Sequence, residues 1–161
     1  MCSEIINDIV SKEWEMFHGV NGDGPKASCQ ENPTKFFATR KAQFLSWPEE
    51  VCELYLKDVN KAIEDGRSLV EEKYIRMMEY TFPDEYEQLK QYVPELSEEK
   101  KKLCREMCDK LVEQSRAVRK QYPFLSQMCR PLTQAEAMYG VSYEVYQLCE
   151  FESYSMDTLK G

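Results

Sequence analysis

Apolar residues recur at three- and four-residue steps along most of this chain, the spacing of one face of an α-helix. Between residues 4 and 20, Ile6, Ile9, Val10, Trp14, Phe17 and Val20 share such a face, with Ser3 placed to act as an N-cap. This helix is expected to end at Asn21-Gly22-Asp23-Gly24-Pro25, where two glycines and a proline cannot continue it. Lys26 to Gln30 then reads as a loop or as the lip of the next helix. The helical pattern returns from Thr34 to Trp47, and Ser46-Trp47-Pro48-Glu49 reads as a capping box. The helix it opens runs through Val51, Leu54, Tyr55, Val59 and Ala62 to a stop at Gly66. Ser68-Leu69-Val70-Glu71 is a second capping box and predicts a helix over 69–81, ended by Pro83.

A short acidic segment with Tyr86, Leu89 and Tyr92 leads to Pro94. Ser97 is then placed to cap the longest helix, reaching to about Tyr122, with Leu103, Met107, Leu111 and Val118 inward. Pro123 and Pro131 bracket a loop. Thr133-Gln134-Ala135-Glu136 is a third capping box, Gly140 a break, and Ser142 the start of a last helix whose inward residues are Val145, Tyr146 and Cys149. No run of alternating β-branched residues is long enough for a strand, and no stretch looks like an interdomain linker or a repeat. The expected architecture is all-α: one compact domain over residues 1–161, a bundle of about six to seven helices with Pro/Gly-rich connections.

Polar residues inside apolar sectors carry the chemical information. At 100° per residue Phe36, Arg40, Gln43 and Trp47 fall in one narrow sector, so Arg40 and Gln43 sit within an aromatic stripe. A buried guanidinium is costly without a carboxylate to meet it. Glu13, in the sector of Ile6, Val10 and Phe17, is the first candidate, and Asp58, in that of Val51, Tyr55 and Ala62, the second. Three readings stand at this point: a structural ion pair that sets helix register, an Arg40 that reaches the surface along an apolar stem, or a polar pocket in which Arg40 holds a ligand anion and Gln43 orients it. On the helix over 69–81, Glu72, Arg76 and Glu79 lie on one side and Val70, Tyr74, Met77 and Met78 on the other. Glu72 to Arg76 is an i,i+4 ion pair, so this side reads first as a solvated salt-bridge stripe. Leu69 and Tyr80 lie near Arg76 in angle, which keeps a pocket wall open as the second reading. Ser28, Cys29 and Gln30 follow the glycine turn and could open a helix N-terminus, where amides bind anions and favour a thiolate. His18, the sole histidine, is the one imidazole available as a base, and its angle is poor.

Composition narrows the classes. The chain carries 21 Lys+Arg against 29 Asp+Glu, a net charge of −8, with no basic run beyond Lys100-Lys101-Lys102, so no nucleic-acid or membrane partner is expected. Seven cysteines without a CxxC pair, and no signal-peptide pattern, suggest reduced thiols and a cytoplasmic protein. Cys104 and Cys108 read as small core residues, and neither a metal nor a cofactor is expected from a chain with so few ligands. A carboxylate-bridged metal centre would need Glu-x-x-His pairs, which are missing.

Trp14-Glu15-Met16-Phe17, Ala27-Ser28-Cys29-Gln30, Arg40-Lys41-Ala42-Gln43-Phe44 with Trp47, and Glu72 through Glu79 with Thr81 together resemble a bacterial family catalogued as domain of unknown function 4125. The similarity extends over nearly the whole chain and includes Tyr154-Ser155 and Thr158-Leu159. It implies bacterial origin and a single helical domain, and it implies no reaction. It also places the two polar constellations and the Ala27–Gln30 loop within one family pattern. His18 departs from that pattern, where Gln would be expected, which weakens any histidine-dependent mechanism. The function expected is binding of a small polar, anionic or zwitterionic ligand by Glu13, Ser28, Cys29, Gln30, Arg40, Gln43, Glu72, Arg76 and Glu79. Arg40 would take an anionic group, Gln43 and Ser28 would supply hydrogen bonds, and Glu72 or Glu79 would meet an amine or act as a base. The competing class is a protein-interaction module without chemistry, in which eight methionines and exposed tyrosines form an adaptable surface and a protein takes the ligand's place. Whether the chain is an enzyme is left open.

Overall fold

Serine side chains start two of the helices as the sequence implies. Glu71 N–H donates to Ser68 Oγ at 3.1 Å and Lys100 N–H to Ser97 Oγ at 3.1 Å, each filling an amide that the first helical turn leaves without a partner. The structure, a computed structural model, describes residues 2–18 and 32–161. Its helices are α1 (Cys2–His18), α2 (Pro33–Leu45), α3 (Glu49–Glu64), α4 (Leu69–Thr81), α5 (Pro83–Leu89), α6 (Glu98–Gln121), α7 (Pro123–Ser126), α8 (Tyr143–Ser153) and α9 (Met156–Lys160). Two 3₁₀ turns, Lys90–Tyr92 and Gln134–Glu136, complete the described elements, among which there is no strand. The all-α class is as expected. Among the described residues the helix count is higher because the short acidic segment forms α5, the Pro123–Pro131 loop contains a helical turn and α9 follows α8, all too short to carry a clear periodic signal.

Other local departures have simple causes. The first helix begins at Cys2, which puts Ser3 inside it instead of at its cap. Ser46 Oγ donates back to Gln43 O at 2.6 Å and closes α2, so α3 starts after Pro48 with no side-chain cap. Gly66, at φ 69°, lets Arg67 N–H reach Ala62 O at 2.8 Å and ends α3, a left-handed conformation that a side chain would strain. On α6 Cys104 and Cys108, read as core residues, are buried, whereas Leu103, Met107 and Leu111, expected inward, are half-buried and Val118 is exposed.

The described residues gather into two compact units. Unit 1 holds residues up to Glu71 together with Tyr154–Gly161; unit 2 holds Glu72–Ser153. In unit 1, α1 packs on α2 and α3, and α9 packs on α3. Ile6, Ile9 and Val10 of α1, Phe44 of α2 and Cys52, Tyr55, Val59 and Ala62 of α3 form its apolar interior. Asp58, the second carboxylate considered for Arg40, instead accepts from Ser155 N–H at 2.9 Å and Thr158 Oγ at 2.6 Å, which ties the start of α9 to α3. In unit 2, α6 packs on α8, with Met77, Val145 and Cys149 at the centre of one apolar cluster. Tyr146, expected inward, is only half-buried against that cluster.

Candidate functional site

Each unit contains a group of buried charges, and the two groups are bonded differently. In unit 1, Arg40 is 7% exposed and Glu13 2%. Arg40 Nε donates to Glu13 Oε2 at 2.8 Å and Nη2 to Glu13 Oε1 at 2.7 Å, a two-pronged guanidinium–carboxylate pair. Tyr55 OH donates to the same Oε1 at 2.7 Å, Arg40 Nη1 donates to Gln43 Oε1 at 2.9 Å, and Gln43 Nε2 lies 3.5 Å from Tyr154 OH. The guanidinium carbon also sits 4.9 Å from the centre of the Phe44 ring, which in turn packs on Trp47 and Tyr55. Glu13 is therefore the partner of Arg40, as its apolar sector implied. Arg40 and Gln43 do lie together, but their polar atoms bond to each other, to Glu13 and to Tyr154.

In unit 2, α4 buries the side that the sequence suggested was solvated. Glu72, Lys73 and Arg76 are all buried, while Glu79 is exposed. The i,i+4 pair of Glu72 with Arg76 is not formed: Arg76 Nη1 lies 3.8 Å from Glu152 Oε2 on α8, and Nη2 donates to Pro94 O at 2.8 Å. Its Nε has no hydrogen-bond partner among the described residues, although Arg76 is only 6% exposed. Lys73 Nζ donates to Tyr146 OH at 3.0 Å and lies 3.8 Å from Glu150 Oε2. The Arg130 guanidinium stacks over the same tyrosine ring at 5.1 Å, so two cations address Tyr146.

Lys73, Glu150 and Glu152 did not emerge from the sequence. Lys73 shares the sector of Val70 and Met77, so the test that selected Arg40 would have selected it too. Glu150 lies within Leu148-Cys149-Glu150-Phe151, all four buried, and an apolar run on both flanks was its only signal. Ser28, Cys29 and Gln30 lie outside the described residues. His18 is exposed and stacks on Trp14 with ring centres 5.5 Å apart. Among the described residues no three histidine, cysteine or acidic side chains gather to hold a metal ion. No described helix is long and apolar enough to cross a membrane.

The sequence model of a family described as a protein of unknown function, DUF4125, matches residues 3–161. The chain belongs to this family. Comparison with curated proteins and with solved structures returned no match. For a DUF4125 protein, then, chemistry must be argued from the groups themselves. Burial pushes the thiols of Cys104 and Cys108 up to about 11, and that of Cys149 higher still. These three stay protonated near neutrality and are poor nucleophiles.

Burial also raises the Glu152 carboxyl above its ordinary value, and Glu79 adds to the effect, while Arg76, Arg105 and Lys100 oppose it. The folded state therefore holds this proton more tightly than the unfolded chain does. Its contribution to stability is largest below pH 4.5 and falls as pH rises through the folded-state value. Denaturant titrations of wild type and Glu152→Gln across this window should show the wild type losing ground to the variant with increasing pH, by at most about 1.4 kcal/mol per pH unit for one proton. A difference between the two that stays constant with pH would contradict the assignment.

Proposed function

We propose that this DUF4125 protein binds a small anionic or zwitterionic molecule through the charged side of α4 and α8, with Arg76 receiving the anionic group. The observation that carries this reading is the contrast between two buried arginines. Arg40 has a two-pronged carboxylate partner at hydrogen-bond distance. Arg76 has one backbone acceptor, a carboxylate 3.8 Å away and an Nε with no hydrogen bond. A buried donor left unbonded is destabilising by about 1–3 kcal/mol, and a ligand carboxylate or phosphate would relieve it. Glu152 is placed to meet a ligand amine, and Glu72 and Glu79, nominated on the same helix, belong to the same proposal. Glu13, Arg40 and Gln43 are better explained as a framework that holds α1, α2 and α3 in register.

A thermal-shift panel of small carboxylates, phosphates and amino acids, with uncharged analogues as controls, tests the proposal. At about one hundred times its Kd a cognate ligand stabilises by roughly 2.7 kcal/mol. At least one anionic compound should raise the Tm of the wild type and leave Arg76→Gln unmoved. If no anion shifts the wild type, or if Arg76→Gln responds equally, ligand binding at Arg76 is refuted.

A further inference from the structure

We propose that copies of this chain associate head to tail, the basic apolar end of unit 2 in one copy docking on the acidic aromatic end of unit 2 in the next. This rests on the surface alone and is independent of ligand binding at Arg76. Tyr122, Phe124, Leu125, Met128, Met138 and Tyr139 are all exposed, Phe124 at 75% and Met138 at 93%. Arg119 Nη1 donates to Arg130 O at 2.7 Å, Arg130 Nη1 to Val141 O at 3.3 Å, and Arg116 lies 3.5 Å from Glu136, which fastens the segment carrying Met138 and Tyr139 to the end of α6. Between Gln114 and Ala135 there are four basic residues, Arg116, Arg119, Lys120 and Arg130, and no acidic one, in a chain whose net charge is −8. Among the described residues Arg119, Lys120 and Arg130 have no carboxylate within 4.0 Å. Exposed aromatic residues and methionines with arginine prevailing over lysine are the composition of a protein–protein contact more than of a lipid-facing one.

The complementary surface is on the same unit. Tyr80, Phe82 and Tyr92 are exposed, and the segment from Glu79 to Glu95 carries Glu79, Asp84, Glu85, Glu87 and Glu95 against Lys90 alone. Glu87 is taken by Lys90, while Asp84 and Glu85 have no cationic partner among the described residues. The two surfaces cannot satisfy each other within one molecule. The acidic segment precedes the N-terminus of α6, whereas Arg116, Arg119 and Lys120 lie on its last two turns and Arg130 beyond them, and a 24-residue helix spans about 36 Å. Between copies they can meet, because the repulsion of the two net charges is screened beyond roughly 8 Å at physiological ionic strength whereas the facing patches attract at contact. Such an interface joins unlike patches, so each copy keeps one unused half.

That asymmetry supplies the test. Sedimentation velocity of the full chain over a range of concentrations should show reversible association. Lys120→Glu with Phe124→Ala removes the basic half, and Glu85→Lys with Phe82→Ala removes the acidic half. All four residues are exposed, and circular dichroism verifies that each variant folds. Each variant alone should associate at least roughly tenfold more weakly than wild type. Mixed together they should form a closed 1:1 dimer and nothing larger, since each contributes its one intact half. A wild type that stays monomeric at every concentration overturns the proposal. So does a mixture that fails to dimerise, which would indicate a symmetric interface. Monomeric protein that adsorbs to phosphatidylserine-containing vesicles through Phe124 would overturn it in favour of a lipid partner.

Discussion

Replacing Glu13 by alanine should destabilise the protein by about 3–5 kcal/mol, because it leaves the Arg40 guanidinium buried without its carboxylate. Both prongs of the pair and the Tyr55 hydroxyl bond to Glu13, so three donors lose their acceptor at once. Tyr55→Phe, which removes a single donor to that carboxylate, should cost less, about 1.5–3 kcal/mol. The pair is not expected to be the source of net stability. Glu13→Leu combined with Arg40→Met removes both charges, and the double variant should be markedly less damaged than the sum of the single changes, with a coupling of about 1–3 kcal/mol. Urea denaturation of the four proteins measures this, and single-variant effects that simply add would show that the two side chains act independently. The magnitudes also bear on function. If Arg40 held a ligand in place of Glu13, its loss would abolish binding with little effect on stability.

Phe44→Ala should cost about 3–5 kcal/mol, comparable to the whole stability of a marginal domain. The ring has no exposed surface, stacks on Tyr55 at 5.5 Å, meets Trp47 edge-on at 5.1 Å and lies under the Arg40 guanidinium. Truncation would open a cavity at the junction of α2 and α3 and remove the aromatic face that the guanidinium rests on. Phe124→Ala, the same substitution at a side chain 75% exposed, should change stability by no more than about 0.5 kcal/mol when measured at high dilution. Paired melting curves decide the matter. Similar Tm values for the two variants would mean that the Phe44 site collapses around the missing ring and that unit 1 is less tightly packed than its burial indicates.

Much of the local structure could be read from residues alone. Three- and four-residue spacing identified the main helices, since that period is a property of the α-helix itself and needs no partner. Ser68 and Ser97 marked helix starts for an equally local reason, an unpaired amide within reach of the next available hydroxyl. Arg40 and Glu13 were legible as partners because each is a charge inside an apolar sector, and two such anomalies are least costly when they meet.

Which side of a helix is covered is not a local property, and it decided the remaining features. Periodicity places Glu72 and Arg76 on one side of α4, but it does not say that this side is buried; α8 supplies Glu152 from seventy-six residues away and captures Arg76 before Glu72 can. Val118 shares the apolar side of α6, yet α8 begins opposite Cys108, where Cys108 Sγ donates to Glu144 O. Past Cys108 the last turns of α6 meet the 130–136 segment through Arg119 and Arg116, and Val118, which sequence placed inward, is exposed. Residue pattern alone was enough to say that this DUF4125 chain is helical, where most of its helices begin, and that Arg40 calls for a carboxylate, with Glu13 the first candidate. That Glu72, Lys73 and Arg76 are buried while Glu79 is not, and that Val118 near the end of α6 is exposed, followed only from tertiary packing. The physical reason is that local spacing sets which residues share a face, while burial is set by whatever distant segment packs against it.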